Sequence, residues 1–405
     1  MAFAVALLLS LPARGEGNLI TLKQAYSLAM KRSPSIQMLK ERVRQAEADR
    51  YKAWSPLKPT AAFQGTFTHF DQEIALDVPS IDFKTMQFLG TESIVIQKQN
   101  QFAFNILARL PLFVGPAYQG IGIAKKQVRL AHMSQIRSSQ DFLLQVAAAY
   151  YAVVSQKEVV KALENKVTVD RKHLTAAKAR FTVGQSARSV VLRADLELTQ
   201  DEQKLRVARN SLKAARRQLG ILIGTPGKAD VQRPAEPSNP GGGSNRALVD
   251  AALQRRFDFK ATRVAIDMAR QSRKAFWWGF LPTLDLTWMY RWSEAAGFAD
   301  QQGMWSLVFT LNVPIYDGGA RYADLRRSQA QIREANEQQR ALAQKIESDI
   351  VKLTSDVESA NAGVVSARKA LELAKTTASD IEASFEAGVT TQLDVLDANQ
   401  RPVSY

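Results

Sequence analysis

Residues Trp305 to Gly319 read WSLVFTLNVPIYDGG, and residues Gln101 to Gly115 read QFAFNILARLPLFVG about 204 positions earlier. Each stretch alternates apolar and polar residues, meets a proline (Pro111, Pro314), and ends in glycine (Gly115; Gly318 and Gly319). The correspondence continues downstream. Arg180-Phe181-Thr182-Val183-Gly184 aligns with Ser384-Phe385-Glu386-Ala387-Gly388, and upstream Pro59-Thr60 aligns with Pro282-Thr283. The chain is an internal repeat, so its fold is to be sought as one unit used twice.

The reading that follows is a leader over 1–15, repeat 1 over 16–223, a Pro/Gly-rich linker over 224–245 and repeat 2 over 246–405. Period-two alternation predicts strands at about 60–70 and 101–113 in repeat 1, and at about 282–293 and 304–316 in repeat 2. In the second repeat Leu284, Leu286, Trp288, Tyr290 and Trp292 alternate with Asp285, Thr287, Met289 and Arg291. Runs of about ten residues with aromatics near their ends fit transmembrane β-strands, and they also fit an ordinary half-buried sheet.

No proline interrupts residues 117–225 or 315–401. Ile350, Leu353, Val357, Ala360, Val364, Ala367, Leu371, Ala374, Ala378, Ile381 and Phe385 follow one 3,4 spacing. Nine of the eleven positions at the repeat offset are apolar too, the exceptions being Gln156 and Asp170. The spacing predicts coiled-coil helices over about 117–182 and 319–386, each some 100 Å long at 1.5 Å per residue, with a return helix over about 189–222 in repeat 1.

Composition removes whole classes of function. The 405 residues include no Cys and three His, so disulfides, thiol nucleophiles and Cys-ligated metals are out, and no metal or cofactor is expected. No Gly-rich phosphate loop or nucleophile–His arrangement is present, which argues against an enzyme. The net charge of +15 suits nucleic acid or an anionic membrane surface, but basic–aromatic interleaving is missing. Ala2 to Leu11 has the length of a signal-peptide core, followed by small residues at Ala13 and Gly15; an apolar N-terminal helix is the other reading. Export argues against a nucleic-acid partner.

Four membrane strands cannot close a barrel. An open edge in lipid leaves peptide groups unsatisfied at several kcal/mol each, and the smallest membrane barrels have about eight strands. Two chains would supply eight strands and a filled interior, three would supply twelve and a usable lumen.

The ordered combination of repeat, strand ends and the Leu393-Asp394-Val395-Leu396-Asp397-Ala398 segment resembles the TolC-type outer membrane efflux proteins over nearly the whole chain from Leu22. The resemblance implies a mainly α fold with membrane β-strands: four strands per chain complete a 12-stranded β-barrel in a homotrimer, and the long helices form an α-barrel in the periplasm. It implies an exit duct in the outer membrane of a Gram-negative bacterium. Its partners would be a periplasmic adaptor, an inner-membrane pump and outer-membrane lipid. A periplasmic coiled-coil scaffold without a barrel is the competing reading.

The same resemblance places an adaptor-contact tip at Val183, Gly184, Gln185 and Ser186 and at Ala387, Gly388, Val389 and Thr390. It places a pore constriction at Asp394 and Asp397, which sit three apart on one helix face. Six carboxylates near one axis would raise one another's pKa values and attract cations. Where the best-known relatives carry a polar latch beside the turns, this chain has Phe385, Thr390 and Val190, so its gate is expected to be held differently. Residues 121–220 carry 19 Lys+Arg against 8 Asp+Glu, and residues 321–400 carry 10 against 13. Complementary helical hairpins explain that asymmetry, as would a basic hairpin meeting an acidic adaptor. Repeat 1 continues about 30 residues past Ala194 as a helix, whereas repeat 2 meets Pro402 soon after Ala398, so a return helix is expected to be missing there.

Overall fold

The computed structural model describes residues 19–82, 87–225, 230–235, 243–294 and 301–386. The leader over 1–15, most of the linker, and the residues from Ala387 onward lie outside them. Seven α-helices and six strands are described: α1 Leu22–Arg32, α2 Pro34–Lys52, β1 Thr60–His69, β2 Ile74–Asp82, β3 Gln87–Gln97, β4 Asn100–Phe113, α3 Gly115–Thr182, α4 Arg188–Leu222, α5 Asn245–Arg255, α6 Phe257–Trp278, β5 Thr283–Ser293, β6 Gly303–Asn312 and α7 Ala320–Glu386. No helix among the described residues is long and apolar enough to cross a membrane.

The repeat is visible in how the elements begin and end. The Thr21 side chain caps α1 by accepting from Gln24 N, and the Gln24 side chain accepts from Thr21 N in return. Ser244 caps α5 in the same way through Ala247 N. Both short helices then stop at an extended residue, Ser33 or Arg256, each with φ −64° and ψ 128°. In the first repeat the next residue is Pro34, which disfavours helical geometry at Ser33 and starts α2 without a wasted N–H.

The chain divides into two compact units. One holds residues up to 41, 134–257 and from 342 on. The second holds 42–133 and 258–341. The core of the first unit is the seam between α3 and α4. Val146, Val153, Val160, Leu163, Val167, Leu174 and Ala177 of α3 are buried, and Leu205, Ala208, Leu212 and Leu219 meet most of them from α4. Each fully buried Val or Leu of such a seam contributes about 1.5–3 kcal/mol. The corresponding residues of α7 are open: Leu353, Val357, Val364 and Leu371 are all exposed, and Ile346 alone among the described α7 apolar residues is buried.

The second unit contains a four-stranded antiparallel sheet in the order β1-β4-β5-β6. The strands of the two repeats therefore meet in the middle, β4 against β5, and the outer edges of β1 and β6 are unpaired among the described residues. β6 stops at Asn312 rather than near 316, because Pro314 has no N–H to offer a ladder. The stretch Asp71 to Gln97, between the two strands predicted in repeat 1, contains the hairpin β2–β3, a separate two-stranded sheet. This insertion explains why the two repeats differ in offset upstream and downstream of it.

Candidate functional site

Cross-strand register decides what the sheet can do. Ala61, Phe63, Gly65 and Phe67 of β1 lie opposite Ala108, Ile106, Phe104 and Phe102 of β4. Phe104, Ile106, Ala108 and Leu110 lie opposite Trp292, Tyr290, Trp288 and Leu286 of β5. Those in turn face Gly303, Trp305, Leu307 and Phe309 of β6. Partners in register share a face, so one whole face of the sheet is apolar and aromatic. The rings touch across it: Phe104 is 5.2 Å from Trp292, 5.8 Å from Phe63 and 6.1 Å from Tyr290. The opposite face carries Thr66, Gln64 and Thr60, then Asn105 and Arg109, then Arg291, Thr287 and Asp285, then Ser306 and Thr310. There the Arg109 guanidinium holds Asp285 at 2.9 Å, with Nε donating to the same carboxylate at 3.1 Å.

Among the described residues much of this face stays open. Phe63 is 70% exposed, Trp305 65% and Phe309 64%. Large apolar side chains exposed side by side on one face form a contiguous patch, the kind of surface that marks a contact with a partner or a membrane.

The strand-to-helix markers have defined roles. Pro111 sits at a register shift in β4, where a residue without an N–H is tolerated. Gly115 opens α3 against Trp278, whose ring and carbonyl lie 3.1 Å from where a Cβ would stand. In repeat 2, Gly318 and Gly319 have φ of 69° and 87°, a region other residues avoid. Asp317 accepts from Gly319 N and Arg321 N, so it caps the start of α7. Arg321 returns the contact at 2.8 Å, donates to the Pro314 carbonyl at 3.0 Å, and lies 4.7 Å from the centre of the Phe280 ring. Hydrogen bonds from Arg321 hold the Asp317 carboxyl below the usual carboxylate range.

In the first unit, α3 ends in a double-bonded left-handed cap. Gly184 has φ 76°; its N–H reaches the Phe181 carbonyl at 3.0 Å, and Gln185 N reaches the Arg180 carbonyl at 2.8 Å. Val183 is exposed there, and the chain reverses through Ser186 into α4. Val190 packs with Leu174, Ala177 and Ala194, a wholly apolar contact beside the turn. The matching positions Ala387, Gly388, Val389 and Thr390, and the paired acids Asp394 and Asp397, lie outside the described residues. Phe385 falls in the last turn of α7.

A charged cluster interrupts the α3–α4 seam and was not singled out from sequence. Lys166 Nζ is 2.9 Å from Asp201 of α4 and 3.5 Å from Asp170 of its own helix, and Lys204 reaches Asp201 at 2.7 Å. Burial pushes the Asp170 carboxyl up. Burial acts on Asp201 too, but hydrogen bonds from Lys166 and Lys204 outweigh it and hold that carboxyl low. The signal was Asp170 and Asp201, polar residues in otherwise apolar 3,4 seams of α3 and α4.

The profile of the outer membrane efflux protein family matches residues 25–225 and 248–404, on both sides of the linker. The chain belongs to that family. Among efflux-family relatives it is 26% identical over 286 residues to the outer membrane efflux protein BepC of Brucella suis biovar 1, covering 69% of this chain and 61% of BepC. It is 23% identical over 300 residues to the outer membrane protein TolC of Vibrio cholerae, covering 72% and 68%. The match thus spans about three-fifths of BepC and two-thirds of that TolC. The fold is that of solved outer-membrane channels: CusC superposes with a TM-score of 0.74 over 95% of this chain and 86% of its own at 17% identity, and VceC of Vibrio cholerae with 0.72 over 94% and 90%, also at 17%.

Proposed function

We propose that this efflux-family chain is the outer-membrane exit duct of a tripartite efflux or type I secretion system in a Gram-negative bacterium. It would receive substrates from a periplasmic adaptor and an inner-membrane pump. Three copies would join edge to edge, β6 of one against β1 of the next, into a 12-stranded barrel. The observation that carries this reading is the sheet with one apolar face and two unpaired edges. Lipid requires every backbone group to be bonded, so the edges must pair, and closure around a lumen turns the Arg109–Asp285 face inward. A relative named alkaline protease secretion protein AprF, 24% identical over 305 residues, supports the secretion side of the proposal.

In this reading Val183–Ser186 and Ala387–Thr390 form the tip that meets the adaptor, and Asp394 and Asp397 ring the constriction. The domain layout of leader, two repeats and linker is part of the same proposal. The chain has no cysteine of its own, which makes the edge test clean. Cysteines placed in pairs along β1 and β6, for example Thr66→Cys with Ser306→Cys, should give an oxidised ladder that ends at three chains. A scan of such pairs that yields only monomer would reject the shared barrel.

A further inference from the structure

The exposed stripe of α6 runs through Arg263, Asp267, Arg270, Arg273, Lys274 and Trp277, at helical spacing. Arg270 lies 3.5 Å from Asp267, and neither Arg273 nor Lys274 meets a carboxylate among the described residues. Arg270, Arg273, Lys274 and Trp277 form one wall of a groove of about 440 Å³, and Gln329 and Ile332 of α7 form the other. The Gln329 amide oxygen is buried there with no hydrogen-bond donor among the described residues. Three cations with one nearby carboxylate, beside the apolar Trp277 and Ile332, make a groove whose missing component is an anion with an apolar part.

The groove sits where helix gives way to sheet. Trp277 is 5.6 Å from Phe280, and Phe280 is 5.4 Å from Tyr322, just before β5 presents its apolar face. Trp and Tyr concentrate at membrane–water interfaces, and Lys and Arg at that level reach lipid phosphates.

We propose that this groove binds the headgroup of an anionic glycerophospholipid, of the phosphatidylglycerol type. The phosphate would lie among Arg270, Arg273 and Lys274. The first acyl carbons would rest on Trp277 and Ile332. A zwitterionic headgroup would bring its own cation into a groove that is already positive, so it fits less well. The proposal rests on the membrane reading above.

The test uses the full chain purified from membranes in an uncharged detergent, with bound lipid counted by native mass spectrometry. Phosphatidylglycerol should be retained over phosphatidylcholine, and Arg273→Gln with Lys274→Gln should weaken retention about tenfold. Trp277→Ala, which keeps every charge, should weaken it less but measurably. Equal retention of phosphatidylcholine, unchanged retention in the double variant, or full displacement by inorganic phosphate would each overturn the site. A membrane-embedded oligomer without lipid preference would reject the site alone. A chain that never reaches the membrane would reject the membrane reading and the site with it.

Discussion

Lys166 on α3 reaches across to Asp201 on α4 at 2.9 Å, inside a seam whose other members are mostly Val, Leu and Ala. The side chains of Lys166 and Asp201 are 13% and 5% exposed, so neither charge has water to fall back on. Removing Asp201 leaves Lys166 with Asp170 alone, at 3.5 Å, and forfeits its shortest charged hydrogen bond, which costs about 1.5–3 kcal/mol, more than an exposed pair would. Asp201→Ala should therefore lower the unfolding free energy of the α3–α4 hairpin by that order. A loss under 1 kcal/mol in a denaturant titration would show that the cluster is solvated instead.

The same cluster gives stability a pH dependence with two limbs. Asp201 is held below its ordinary value, so its contribution is present above the ordinary carboxylate range and is lost as pH falls through the lowered value. Asp170 is raised by burial, so its contribution is complete below the ordinary range and is lost as pH rises through the raised value. Asp170→Asn should flatten the high-pH limb and leave the low-pH limb, as read from unfolding midpoints across a pH series. Two limbs surviving in that variant would exclude Asp170 as the source.

Two glycines with similar backbone angles should respond differently to a methyl group. At Gly184 an added Cβ meets nothing, so Gly184→Ala should cost only the left-handed backbone term, about 1–2 kcal/mol. At Gly224, φ 69°, the new carbon would stand 2.8 Å from Arg32 Cβ and 3.1 Å from its carbonyl oxygen. Gly224→Ala should lower the thermal midpoint more than Gly184→Ala, and the reverse order would mean that the α1–α4 contact gives way freely.

Tyr150 ties three parts of the first unit together. Its hydroxyl is 2.9 Å from the Ile20 carbonyl and 2.5 Å from that of Gln232, while Lys157 holds Asp230 at 3.0 Å and the Val231 carbonyl at 3.2 Å. Tyr150→Phe should cost about 1–2 kcal/mol and speed hydrogen exchange at Ile20 and Gln232, whose amides bond to one another's strand across this point. Unchanged exchange at both amides would mean that the segment is held without Tyr150.

Much of this was legible beforehand, for physical reasons that differ by element. Period-two runs such as Leu284 to Trp292 alternate because each face of a strand meets one environment. The heptad seam of α3 was readable because Val146 to Ala177 must all reach the same partner helix. The order β1-β4-β5-β6 was not readable, since alternation says which face a residue takes and not which strand it pairs with. The β2–β3 hairpin escaped because its alternation is weak and an insertion in one repeat has no counterpart to check it. The Lys166 cluster escaped because its two pattern breakers, Asp170 on α3 and Asp201 in the 3,4 seam of α4, lie on different helices, and nothing in the sequence says that they face each other. The tip residues Val183 to Ser186 were placed through glycine geometry and family resemblance together.

Position on the sheet should decide the fate of a charge. Trp288 lies on the apolar face and Thr287 on the polar one, one residue apart. Trp288→Arg would place a cation against lipid at about 2–4 kcal/mol near the midplane, whereas Thr287→Arg would point into the lumen beside Arg109. The first should deplete the chain from the outer-membrane fraction and the second should not. Equal behaviour of the two variants would mean that the two faces do not differ in their contact with lipid.

The native mass of the detergent-extracted chain is the most direct check on the shared barrel. A particle of three copies that falls apart on heating is expected, because the outer edges of β1 and β6 have no partner among the described residues. A stable monomer in the membrane fraction, with both edges in lipid, would contradict the shared barrel outright.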